Sequence, residues 1–176
     1  MATPVESTKH GRVLGWLVGG PRERIAGSVY GTIVVLGVLA AGSESATIDA
    51  WELDVFMIGT VIVLWIAHVY AHGIAESVSS GAPLDEHAIL ALAAREVSIV
   101  LAAVGPGIAL LLGAFGLIRD EAAVWLALAI GTLTLVLQGY RYARATSLDR
   151  HGTLVVVAVN VVLGLSIVGL KVLIEG

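Results

Sequence analysis

The chain contains no cysteine, which excludes disulfides, thiolate metal centres and thiol redox chemistry while leaving the compartment open. Charge is also scarce. Only 14% of the 176 residues are Asp, Glu, Lys or Arg, against about 25% in a typical soluble domain, so water is not the main solvent for this surface. No Lys/Arg cluster is dense enough for nucleic acid, which is not expected as a partner. What the chain has instead is apolar sequence, with 57% hydrophobic residues and a mean hydropathy of +0.93. It falls into runs of membrane-spanning length separated by short charged segments. The pattern predicts an all-α, polytopic membrane helix bundle.

About five transmembrane helices are expected, at 25–41, 51–77, 84–118, 122–143 and 153–174, within one transmembrane domain covering 25–176. Residues 1–24 carry Lys9, Arg12, Arg22 and Arg24 and an apolar patch, Val13-Leu14-Gly15-Trp16-Leu17-Val18, too brief to span. An interfacial, cytoplasmic segment is expected there. A cleaved signal peptide competes with this reading, but the basic region is long and the next apolar run approaches full length, so the first helix is read as retained.

Asp49, Glu52 and Asp54 suit the amino-terminal end of the second helix by opposing its dipole, and Pro83 with Asp85 and Glu86 marks the start of the third. The third run is roughly 30 residues long and exceeds a ~30 Å hydrocarbon core by several turns. Gly105-Pro106-Gly107 lies inside it, and a proline there removes a backbone donor, so a kink or short unwound stretch is expected. Such a break can expose carbonyls to a cation, or it can be plain geometry. Arg119-Asp120-Glu121 reads as a tight polar connection. Gly27-x-x-x-Gly31, Gly113-x-x-Gly116 and the pair Gly164 and Gly169 read as sites of close helix approach, within one bundle or in a homo-oligomer.

Alternating the segments across the membrane gathers Lys9, Arg12, Arg22, Arg24, Arg95, Arg141, Arg144 and Arg150 on one side and leaves Arg119 and Lys171 on the other. Because cytoplasmic loops retain Lys and Arg, the amino terminus is expected inside and the carboxyl terminus outside. The expected location is the inner (cytoplasmic) membrane of a bacterium. Asp149 and His151 read as capping residues at the last inner loop.

With that orientation, the polar residues inside the spans share a depth near the cytoplasmic face: His68, His72 and Glu76 on the second helix, Arg95 and Glu96 on the third, Gln138 on the fourth, Asn160 on the fifth, and Tyr30 with Ser28 and Thr32 on the first. His68, His72 and Glu76 are spaced i, i+4, i+8, which stacks them on one helical face. Ionisable groups inside a membrane are costly and normally face a partner or a water-filled cavity, so this stripe is the candidate site. Imidazole relays protons near neutral pH and binds transition metals, and a carboxylate completes either set; His68, His72 and Glu76 are the candidate metal ligands. The same residues admit a structural reading, in which His68 bonds a neighbouring helix and Arg95 pairs with Glu76 or Glu96. A haem held by both imidazoles would need its opposite ligand from another subunit. No nucleophile and base pair or metal-hydrolase motif points to an enzyme.

The stretch Trp65-Ile-Ala-His68-Val-Tyr-Ala-His72, the downstream Arg95-Glu96 and the ending Gly164-Leu-Ser-Ile-Val-Gly-Leu-Lys171 resemble an actinobacterial-type family of small integral membrane proteins. The resemblance implies a common fold and a cytoplasmic-membrane location, and it brings no activity. Two function classes therefore stand as expectations. One is a transporter or channel-like protein with a cytoplasm-facing polar cavity for protons or small cations, a transition-metal ion included. The other is an accessory subunit or oligomeric scaffold whose buried polar groups select helix partners. Membrane lipids are expected around either.

Overall fold

The structure is a computed structural model that describes residues 21–43 and 49–175. Among them the chain is all-helical: α1 (Pro21–Gly42), α2 (Ala50–Ser80), α3 (Glu86–Glu96), α4 (Ser98–Leu101), α5 (Val104–Ala114), α6 (Asp120–Ala145) and α7 (Arg150–Glu175). Most of the expected interfacial segment, 1–24, lies outside the described residues. Three helices, α2, α6 and α7, are long and apolar enough to cross a membrane, and the bent series α3 to α5 counts as a fourth if taken as one span. The first expected span is a helix, but its apolar part, Ala26–Gly42, covers only about 25 Å at 1.5 Å per residue, short of a ~30 Å core.

Local chemistry accounts for the helix starts. Asp49 accepts a hydrogen bond from the Glu52 amide at 2.8 Å, Asp85 from Ala88 at 2.8 Å and Asp149 from Gly152 at 2.8 Å, each satisfying an amide that a first helical turn leaves without a partner. Gly116, at φ 70°, ends α5 in a conformation that a side chain would strain. Asp120 and Glu121, read as part of a connection, belong instead to the first turn of α6.

The expected third helix is broken, and the segments before and after the break are bent by 50°. The break falls at Ala102 and Ala103, one turn before the glycine-flanked proline rather than at it. Pro106 has no N–H to give to the carbonyl four residues earlier, that of Ala102, so the ladder fails there. Helix α5 restarts at Val104, which puts Pro106 in its first turn, where the missing donor costs least.

Helices α1 and α6 form the centre. Leu36 of α1 fills the space over Gly131 of α6, α5 meets α6 through Gly113 against Ala123, and α6 meets α7 through Gly164 against Thr132. On the other side of α1, a Cβ on Gly31 would lie 2.6 Å from the Ile99 carbonyl oxygen and 2.9 Å from the Ile99 Cα, so α1 rests directly on the α4 backbone. Gly27, Gly31, Gly113 and Gly164 thus mediate the close approaches expected of them. Gly116 terminates a helix instead, and Gly169 has open space beside it. The core that results contains Val35, Leu36, Leu39, Leu53, Met57, Val61, Ile99, Leu110, Leu128 and Leu135.

Candidate functional site

The candidate site forms where the carboxyl-terminal half of α2 meets α1 and α3. Trp65 sets the register by donating its indole Nε1–H to the Ala93 carbonyl at 3.1 Å. One turn beyond Ala93, α3 presents Glu96; two turns beyond Trp65, α2 presents His72. His72 Nδ1 stands 4.0 Å from Glu96 Oε1, and Arg95 Nε stands 3.5 Å from the same oxygen. The Glu96 side chain is almost fully buried while that of His72 is 47% exposed, so the pair joins the interior to the surface. A Cβ on Gly27 of α1 would collide with Ser98 Oγ and stand 3.7 Å from Glu96 Oε2, so a glycine there leaves room for the buried carboxylate.

His68 continues the series. Its ring centroid lies 5.9 Å from that of His72 and 4.8 Å from that of Tyr30 on α1. His72 Nδ1 is 3.0 Å from the His68 carbonyl oxygen, and a carbonyl can only accept, so Nδ1 is the donor in that contact. Tyr30, His68, His72 and Glu96 therefore form a continuous series of proton-binding side chains drawn from three helices. The 4.0 Å step to Glu96 is ion-pair distance rather than a hydrogen bond.

Other expected members lie apart from this group. Glu76 is exposed, and its backbone carbonyl accepts from Ser79 Oγ. Among the described residues, no three His, Cys, Asp or Glu side chains are arranged to hold a metal ion, so the expected ligand set of His68, His72 and Glu76 is not gathered. The i, i+8 separation places Glu76 two turns away, too far for a shared first coordination sphere. Gln138 is buried at a second place, where its Nε2 donates to Ser28 Oγ and, at 3.3 Å, to Thr32 Oγ1. Thr32 in turn donates to the Ser28 carbonyl at 2.8 Å. Asn160 donates to Val156 of its own helix at 2.9 Å and lies over Gly139. These amides tie α6 to α1 and cover the α6–α7 contact.

An apolar groove lies on another face of α2, and neither His68 nor His72 lines it. It is a groove of about 500 Å³ between α2 and α3, with Trp65, Ile66, Tyr70, Ile74, Leu84 and Leu92 among its lining.

The expectation that polar side chains gather at one depth also misses a residue. Asp54, read from sequence as one of three acids opposing a helix dipole, is only 2% exposed. Asp49 caps the helix and Glu52 faces outward, but Asp54 points inward on the face that carries Met57 and Val61. Its spacing of seven from Val61, and of seven more to His68, is the signal that assigns it to that face.

Comparison with protein-family models, curated proteins and solved structures finds no match to this chain. The functional reading therefore rests on the geometry.

Proposed function

We propose that this chain is a five-span protein of the bacterial inner membrane, amino end inside and carboxyl end outside, that moves protons or small cations through Tyr30, His68, His72 and Glu96. The observation that carries the reading is the series itself, with centroid separations of 4.8 and 5.9 Å and a 4.0 Å step ending on a buried carboxylate. Imidazole changes charge between about pH 5 and 8, which suits a relay at physiological pH. An intramembrane acid retained at such cost is more readily explained by use than by packing. Successive helices meet antiparallel, as in the pairings of Gly42 with Leu53, Gly113 with Ala123 and Gly139 with Asn160, and that alternation supports an odd number of spans in which α1 is a short one held in the centre. A proton is favoured over a transition metal as cargo, since no three ligands converge among the described residues.

The test is flux of purified protein in vesicles under an imposed pH gradient. His72→Ala combined with Glu96→Gln should lower proton flux by roughly 10-fold or more. Flux equal to that of the unsubstituted protein would reject the relay.

A second reading, the accessory subunit or scaffold, draws on α7. Little of its length is buried, and Leu154, Val155, Val159, Val162 and Leu165 lie exposed along it. A partner helix, from another protein or a second copy, would cover that face. Crosslinking in native membranes that finds only monomer would count against it.

A further inference from the structure

Asp54 lies at the opposite end of α2 from the imidazoles, 14 positions before His68 and hence about 21 Å along the axis. Its Oδ1 is fully buried and has no hydrogen-bond partner. The atom is aimed at the turn that follows the helix break: a Cβ on Gly107 would lie 3.2 Å from Asp54 Oδ1 and 3.6 Å from Met57 Cε. A side chain at 107 would displace the carboxyl group, and glycine there leaves it its place. The observations meet at one point, where an acid with an unpartnered oxygen faces the first turn of a helix that restarts after a 50° bend.

Among the described residues no Lys, Arg or His is paired with Asp54. Helices α4 and α5 carry no ionisable residue, and the 26–42 stretch of α1 carries only Tyr30, which lies beside His68. At this end α6 offers only Asp120, beside Gly113, and Glu121, which pairs with Arg119 at 3.9 Å. On α3, Arg95 and Glu96 belong with the His72 end of α2, and Glu86 and His87 are exposed in its first turn. Lys171 of α7 lies over the Trp125 ring of α6. On α2 itself Asp49 and Glu52 are exposed and add charge of the same sign. A bare carboxylate in such a place is strongly disfavoured and takes on a positive ion. A metal cation demands several oxygen ligands, whereas the contact described here is with a glycine; a proton demands only the carboxyl oxygen.

We infer that Asp54 is a proton-binding site, a second station on the face of α2 that bears His68 and His72, loaded by formation of an O–H bond on its carboxylate and emptied by loss of that proton to water. The inference goes beyond the relay, since binding at Asp54 does not require the imidazoles.

The test is pH-difference infrared spectroscopy of the full chain in lipid with carbon-13 carboxyl-labelled aspartate. Asp49, Asp85, Asp120 and Asp149 are exposed and Asp54 is buried, so the labelled protein should show one neutral carboxylic band that persists at neutral pH, where exposed aspartates are ionised. The band should fade as pH rises, vanish in Asp54→Asn and survive in His72→Ala, so that failure of the relay is separable from failure of this site. A band retained in Asp54→Asn would overturn the inference. So would a wild-type protein with no such band, a measurement that needs no variant to fold, or a labelled carboxylate that responds to sodium at constant pH.

Discussion

At the Ala50 end of α2 an acid is sealed between helices with one oxygen unpartnered, whereas at the Ser80 end two imidazoles run along a half-open surface and meet a carboxylate from the next helix. The same helix treats its ionisable groups in two ways because its neighbours differ. Around Asp54 it packs on α5, through glycines that admit close contact; around His72 it meets the short, oblique α3, leaving an apolar groove and open surface. Burial without partners concentrates cost at a point, while a surface series spreads it over groups that solvent can reach. Substitutions at the first end should therefore act on stability, and at the second on transfer.

The largest effect is expected at Met57, fully buried one turn from Asp54. Met57→Ala should cost about 2–5 kcal/mol by removing core volume, read as a lowered midpoint in reversible unfolding from mixed micelles. Gly107→Val should follow, at about 1–3 kcal/mol, because its side chain would press on Asp54 Oδ1 and Met57 Cε; Gly107→Val with an unchanged midpoint would show that the sealed end is looser than described. Gln138→Leu, at neither end, removes two donated hydrogen bonds and should cost about 0.5–2 kcal/mol. The smallest loss of stability, within about 0.5 kcal/mol, belongs to His72→Ala, whose effect should appear in flux. A large drop in its unfolding midpoint would break the contrast, since it would make the open end structural as well.

The fold was largely legible because hydrophobic run length is a coarse and robust signal. The expected ranges 51–77, 122–143 and 153–174 fall inside α2, α6 and α7. The third run misled on continuity, since composition does not reveal that the carbonyl deprived by Pro106 sits a turn upstream and that the chain bends there. At the site, the facing of His68 and His72 followed from helical period, and Glu96 from its place on the next helix. Glu76 shares that period but is exposed two turns beyond His68. Asp54 was obscured by its neighbours: three acids near a helix start satisfy the dipole argument together, and only the facing of each separates a cap, a solvated side chain and a buried acid.

The seating of Gly27 and Gly31 on α4 has a mechanical result. At Gly31 backbone lies against the Ile99 backbone, and at Gly27 only the Ser98, Ile99 and Glu96 side chains intervene, so little compliant material separates α1 from α4 and sliding between them is opposed. The hydrogen-bond ladder is interrupted at Ala102 and Ala103, which makes them the place where a bend between α4 and α5 costs least. A change in that 50° angle would carry Gly107 toward or away from Asp54.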